Sequence, residues 1–156
     1  MRTYALGFCG FGLMLAACGS ESSDEQVADA AAGGRAADAT PGDRYVPGLS
    51  KRGEALQFSL VEALPAPPQR GQNAWRVAIA DLSGAAQSGC ALSVSVFMPE
   101  HGHSSPVPPV ATETEVAGEY AVTGIDLFMP RLWEVTVNAT CAGGEDSAVF
   151  AFWIER

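Results

Sequence analysis

Residues 133–141 read Trp133-Glu134-Val135-Thr136-Val137-Asn138-Ala139-Thr140-Cys141. The odd-numbered positions carry Trp, Val, Val, Ala and Cys, whereas the even-numbered positions carry Glu, Thr, Asn and Thr. Because successive side chains of a β-strand point to opposite faces, this alternation predicts a strand with one face in a core and the other in water. The stretch therefore predicts a domain built from half-buried antiparallel strands.

Similar patterns recur along the second half of the chain. Six further strands are predicted, at 56–60, 75–79, 90–96, 112–116, 118–122 and 147–155, of which 112–116 is the weakest. About seven short strands at spacings near ten residues, with no helical period between them, are typical of an immunoglobulin-like β-sandwich. A small closed barrel is the alternative, because strand number alone does not separate the two folds.

The first 18 residues have the form of a bacterial lipoprotein signal. Arg2 is followed by a run from 4 to 17 that is almost entirely apolar or Gly and is too short to span a bilayer as a helix. The run ends in Leu15-Ala16-Ala17-Cys18, which resembles the bacterial lipobox. That resemblance implies that residues 1–17 are a signal peptide and that Cys18 becomes the lipidated first residue, anchored in the cell envelope and facing the periplasm or the exterior. An ordinary thiol after a plain secretory signal is the alternative.

The segment that follows is poor in large apolar side chains. Between 19 and about 50 the chain consists mostly of Ala, Gly, Ser, Asp and Glu. Such a segment cannot bury enough apolar surface to offset the entropy lost on ordering. We therefore predict a flexible acidic tether over 18–52 and one folded domain over 53–156.

The charge balance excludes one class of partner. The 156 residues include 9 Lys and Arg against 18 Asp and Glu, a formal net charge of −9, and loss of Arg2 with the signal makes the mature chain still more negative. The chain contains no basic run that would offer a local phosphate-binding surface. We predict that the protein does not bind nucleic acid.

Cysteine usage predicts a disulfide. Cys9 would leave with the signal and Cys18 would carry lipid, so Cys90 and Cys141 remain in an oxidising compartment. Both have inward parity in separate predicted strands, which favours a bond between the two sheets. A metal-binding thiol pair is the alternative, but the chain has no Cys-x-x-Cys spacing to support it.

One loop contains the strongest functional signal. Met98-Pro99-Glu100-His101-Gly102-His103 follows the predicted strand 90–96 and contains both histidines of the chain. Proline ends a strand and glycine allows a tight fold, so the two imidazoles can converge from one side of the loop. Met98 shares the parity of the inward positions of that strand, and a second methionine, Met129, precedes the strand 133–141.

These side chains define a candidate metal site made of Met98, His101, His103 and Met129. Two thioethers and two imidazoles suit copper, particularly Cu(I), better than calcium or magnesium. Zinc fits less well without a thiolate or a third nitrogen. The alternative is that the methionines fill the end of the sandwich and the histidines are exposed loop residues.

Several segments together resemble the YtkA-like and FixH-like domain family over roughly 53–156. They are 75–81, the Met98-Pro99-x-His101-Gly102-His103 loop, Gly118-Glu119-Tyr120, and Phe128-Met129-Pro130-x-Leu132-Trp133-Glu134-Val135. The resemblance implies an immunoglobulin-like sandwich in an exported or membrane-attached bacterial protein, with a part in copper handling or respiratory-oxidase assembly. The chain differs from membrane-anchored members in having Cys18 where they have a transmembrane helix, and it has Pro130 where the family often has a small residue.

Two function classes follow. The first is an envelope lipoprotein that binds copper or delivers it to a copper-dependent membrane protein. The second is a metal-free interaction or structural module at the membrane surface. We do not predict an enzyme, because Ser104 and Ser105 lie near the histidines without a recognisable third group to orient a base, and Glu100 is interpreted as a solvated loop charge.

Overall fold

The computed structural model describes residues 42–156, and this part of the chain folds into nine strands with no helix. The strands are β1 (Leu49–Arg52), β2 (Leu56–Leu64), β3 (Gly71–Asp81), β4 (Ala91–Met98), β5 (His103–Ser104), β6 (Val110–Glu113), β7 (Glu119–Leu127), β8 (Arg131–Cys141) and β9 (Gly144–Ile154). Residues 42–156 therefore contain no helix that could cross a membrane. The predicted signal peptide, the lipidated Cys18 and the tether up to residue 41 lie outside the described residues.

The strands form two antiparallel sheets. One has the order β1-β2-β3-β7-β6 and the other has the order β5-β4-β8-β9. The two sheets enclose one apolar core, in which Trp75 meets Phe150 and Phe152 of the opposite sheet edge to face, with ring centroids 6.1 and 5.6 Å apart. The all-β sandwich predicted from the alternation is confirmed, and the two sheets exclude the closed barrel for this part of the chain.

The stretch that predicted the fold lies at the centre of its sheet. Strand β8 pairs with β4 on one side and with β9 on the other. Trp133, Val135, Val137 and Ala139 are buried, and the residues between them face outward. The period-two pattern is thus produced by a strand that has a core on one side only.

The predicted boundary between tether and domain at residue 52 is wrong. Strand β1 pairs with β2 over its whole length, from Leu49 opposite Leu60 to Arg52 opposite Gln57. Upstream of β1, the Tyr45 hydroxyl accepts a hydrogen bond from the Ala63 amide, and the backbone amide of Asp43 donates to the Ala151 carbonyl. The domain thus includes at least residues 42–52, since the order of this polar segment comes from backbone pairing with distant strands.

Two other strands differ from the prediction. The weak strand predicted at 112–116 lies instead at Val110–Glu113, and the chain then turns, with the Thr114 amide donating to the Glu119 carbonyl. Strand β5 is only two residues long and was predicted as loop. With β1 and β5 added, the seven predicted strands become nine.

Cys90 and Cys141 form the predicted disulfide, but the predicted link between sheets is wrong. Ala91 faces Thr140 in the register of β4 and β8, so the two cysteines flank neighbouring strands of the same sheet, with Cα atoms 4.4 Å apart. Parity showed that both side chains face inward without showing which sheet each belongs to. The sheets are connected here by Tyr120 of β7, whose hydroxyl accepts from the Cys90 amide at 2.9 Å and donates to the Gln87 carbonyl at 3.0 Å.

All nine strands, the core and the disulfide lie within 42–156, so we expect these residues to fold when expressed alone. Cys90→Ser with Cys141→Ser should lower the free energy of unfolding by about 4 kcal/mol, because the bond closes a loop with a sequence separation of 51. Urea unfolding of the oxidised protein and the double variant measures the difference.

Thr140→Ser, at an exposed position beside Cys141, is the matched control and should change stability little. If the double variant does not fold, the oxidised and reduced forms of the unsubstituted protein are compared. A loss below about 1 kcal/mol would contradict the chain-entropy account of this disulfide.

Asp146 of β9 is hydrogen-bonded to the backbone at the turn between β1 and β2. Its carboxylate accepts hydrogen bonds from the amides of Ala55 at 2.9 Å and Leu56 at 3.0 Å. These backbone hydrogen bonds lower the pKa of the Asp146 carboxyl from its ordinary value of 3.8. The carboxylate contributes stability above the ordinary pKa, and the contribution disappears as the pH falls through the lower pKa of the folded protein.

Asp146→Ala should therefore lower the free energy of unfolding by about 1 kcal/mol at neutral pH, the order of a hydrogen-bonded charge that is partly exposed. The difference from the unsubstituted protein should shrink as the pH is lowered below 3.8. Urea unfolding at several pH values tests this, with the exposed neighbour Glu145→Ala as control. A difference that stays constant down to low pH would show that the charge of Asp146 is not responsible.

Candidate metal centre

The candidate site lies at the tip of the sandwich, which is the end where β4 turns into β5. The Met98 carbonyl accepts hydrogen bonds from the amides of His101 at 3.2 Å and Gly102 at 2.9 Å, which closes a tight turn. Gly102 has a φ of 64°, in the left-handed region that favours glycine. The turn returns the chain beside β4, so that His103 pairs directly with Met98.

This pairing decides where the His103 ring points. Directly opposed residues of an antiparallel pair share a face of the sheet, and Met98 is wholly buried, so His103 belongs to the inner face. Its imidazole stacks on Phe128 with centroids 5.6 Å apart and planes inclined by 18°. It also meets Trp133 edge to face at 5.9 Å. His103 is therefore a half-buried histidine with an aromatic wall, and the expectation that it lies in a loop is corrected.

His101 is exposed and faces the same tip. Its ring centroid is 5.7 Å from that of His103, with an angle of 62° between the planes. Two imidazoles bound to one ion through nitrogens about 2.0 Å from the metal have centroids up to roughly 6 Å apart. The two rings are therefore close enough to share one ion.

Met129 lies in the same cleft as His101. The cleft is lined by His101, Met129, Pro130, Arg131, Trp153, Ile154, Glu155 and Arg156. Two side chains fix the backbone of Phe128 and Met129: Arg70 Nε donates to the Phe128 carbonyl at 2.9 Å, and Trp133 Nε1 donates to the Met129 carbonyl at 2.8 Å. Hydrogen bonds to two consecutive carbonyls hold this segment in place beside the histidines.

Met98 occupies a different position from the other three candidates. Its side chain is 0% exposed and belongs to the hydrophobic core, directly opposite His103 in the sheet. It lies on the core side of the site, whereas His101 lines the solvent-facing cleft with Met129. The structure thus places all four sequence-predicted residues at one tip, with Met98 behind His103.

The donors at this tip define which metals fit. Within 42–156, no three His, Cys, Asp or Glu side chains are grouped so that they could hold a metal ion. A metal at the two imidazoles would therefore find no third His, Cys, Asp or Glu ligand there, and the predicted ligands that remain are the two methionine sulfurs. That donor set fits Cu(I) and does not fit the oxygen-preferring calcium or magnesium.

Sequence reasoning missed one interaction beside the site. Arg131 Nε lies 3.4 Å from Glu100 Oε2, which joins the turn that carries His101 to the segment that carries Met129. The sequence alone predicts a solvated loop charge at Glu100. The sequence does place an acidic residue beside His101 and a basic residue near Met129, and these opposite charges were the available signal. Only the folded chain shows that the two loops meet.

No family model matches the sequence, and no curated protein matches it. Comparison with solved structures gives matches at low sequence identity. A DUF4426 family protein from Pseudomonas aeruginosa PAO1 is 14% identical, with a TM-score of 0.51 over 69% of this chain and 96% of that one. This likeness shows the fold alone.

FetP from uropathogenic Escherichia coli strain F11 gives a TM-score of 0.48 at 9% identity, over 71% of this chain and 95% of that one. A copper-bound variant of FetP gives 0.45 at 8% identity, over 69% and 89%. Membership of the YtkA-like and FixH-like family stays a prediction from the sequence motifs.

Proposed function

We propose that this protein is an envelope lipoprotein that binds copper as Cu(I) at the tip formed by His101, His103 and Met129, with Met98 behind them. The observation that carries the proposal is the distance of 5.7 Å between the two imidazole rings, which are the only two in the chain. One residue separates the two histidines at the end of a tight turn, so the chain brings the rings together without any long-range closure.

The surroundings of the rings favour Cu(I) over harder ions. Thioether sulfur is a soft ligand that selects Cu(I), and Met129 shares the cleft with His101. Phe128 and Trp133 place aromatic carbon against His103, which gives one side of the site an apolar wall. Two imidazoles and one thioether would give the low coordination number that Cu(I) accepts.

We propose binding and not catalysis. Ser104 follows His103 directly in β5, so its side chain points to the opposite face of the sheet. Ser105 Oγ is buried without a hydrogen-bond partner among the described residues, which leaves it without a base to activate it. A bound metal would then be held and passed on, and a copper-dependent membrane protein is the partner class that a lipid-anchored carrier would serve.

The proposal predicts a stoichiometry. Residues 42–156, expressed alone and oxidised, should bind about one Cu(I) per chain, and His101→Ala with His103→Ala should abolish the binding because sulfur alone remains. Competition with a chromogenic Cu(I) chelator measures both. Ser104→Ala, at the exposed position next to His103, is the matched control and should bind as the unsubstituted protein does.

If the unsubstituted protein and the double histidine variant retain equally little copper, the proposal is wrong. The metal-free interaction module then becomes the better account, with the exposed Trp153 of the same cleft as its first candidate contact.

The lipid anchor is tested separately. When the full chain is made in a bacterium, its mature form should begin at Cys18 and carry acyl groups, and Cys18→Ser should lose that added mass. Cys9→Ser is the control, since Cys9 lies within the predicted signal and should leave the mature mass unchanged. Intact-mass spectrometry of the detergent-extracted protein that finds an unmodified Cys18 would contradict the anchor.

A further inference from the structure

The backbone at Arg131 is unusual. Its φ is 130°, and it is the one residue other than glycine within 42–156 that has a positive φ. Side chains with a Cβ rarely adopt this conformation, which costs free energy and persists only where surrounding contacts impose it. Arg131 opens strand β8 and lines the same cleft as His101 and Met129, so the unfavourable conformation lies in the candidate metal centre itself.

The side chain of Arg131 forms an ion pair across the site. Its Nε is 3.4 Å from Glu100 Oε2, and this ion pair connects the two loops that carry the candidate ligands. Glu100 stands between Met98 and His101 in the tight turn. It is thus the carboxylate closest in sequence to the two imidazoles, and Arg131 is the cation that engages it.

A free carboxylate at this position would change the metal preference of the site. Two histidines and one glutamate are a known ligand set of zinc, with the fourth position open, and oxygen is a poor ligand for Cu(I). In the structure, Glu100 and the two histidines do not form such a group within the described part of the chain. The Glu100 carboxylate is instead paired with Arg131.

We infer that Arg131 is a specificity-determining residue: it holds the Glu100 carboxylate away from His101 and His103 and thereby disfavours Zn(II) relative to Cu(I). This inference rests on the proposed copper-binding function. The size of the effect is limited, because Arg131 and Glu100 are 58% and 42% exposed and exposed ion pairs are weak. We expect release of Glu100 to tighten Zn(II) binding by about fivefold.

The experiment measures Cu(I) and Zn(II) dissociation constants separately, by competition with a chelator for each metal, on oxidised residues 42–156. Four proteins are compared: the unsubstituted chain, Arg131→Gln, Glu100→Gln and the double variant. Arg131→Gln should tighten Zn(II) about fivefold and leave Cu(I) within about twofold. Glu100→Gln should leave Cu(I) within about twofold and should not tighten Zn(II), because it removes the carboxylate instead of releasing it.

The double variant separates the carboxylate from the simple loss of a positive charge. If Glu100 supplies the new ligand, the gain in Zn(II) affinity disappears in the double variant. A gain that persists there would come from the lost charge alone and would overturn the inference, as would an Arg131→Gln variant with unchanged Zn(II) affinity.

Arg131→Gly is the second variant, because glycine adopts the observed φ without strain and keeps the fold accessible if Gln does not. It should show the same gain in Zn(II) affinity.

If the unsubstituted protein binds no Cu(I), the proposed function and this inference both fail. If it binds Cu(I) but the Zn(II) affinity of both Arg131 variants stays unchanged, the inference alone fails.

Discussion

The buried side chain of Trp133 belongs to the core of the sandwich and also contacts the residues of the candidate metal site. The side chain is 0% exposed on the inner face of β8, and its indole Nε1 donates to the Met129 carbonyl at 2.8 Å. The same ring meets Phe128 at 5.2 Å and His103 at 5.9 Å, edge to face in both cases. One large side chain, placed by the alternation of its strand, thus positions one histidine and one methionine loop relative to each other.

The sequence predicts the features that depend on local patterns, and it does not predict those that depend on contacts between distant parts of the chain. The alternation at 133–141 was sufficient to predict an inward-facing strand, because the pattern is local and has one buried face. Strand β1 was missed because Ser50, Lys51 and Arg52 lack an apolar pattern, and only pairing with β2 orders them. The disulfide partners were predicted by elimination, but the shared sheet of Cys90 and Cys141 depends on the register of β4 and β8.

The candidate site shows the same division. The tight turn at Gly102 and the inward parity of Met98 could be predicted from the local sequence, and both are found. The strand pairing of His103 with Met98, the aromatic stack on Phe128 and the ion pair between Arg131 and Glu100 could not. The stack and the ion pair join segments about thirty residues apart in the chain, and nothing in either segment alone specifies its partner.

The central claim is that the two imidazoles and a methionine sulfur hold one copper ion together. X-ray absorption at the copper edge, on Cu(I)-loaded residues 42–156, tests it most directly, because nitrogen and sulfur ligands scatter at distinguishable distances. The account predicts two nitrogen ligands and at least one sulfur ligand per copper, with the sulfur lost in Met129→Leu combined with Met98→Leu. A first shell of nitrogen and oxygen alone in the unsubstituted protein would contradict it.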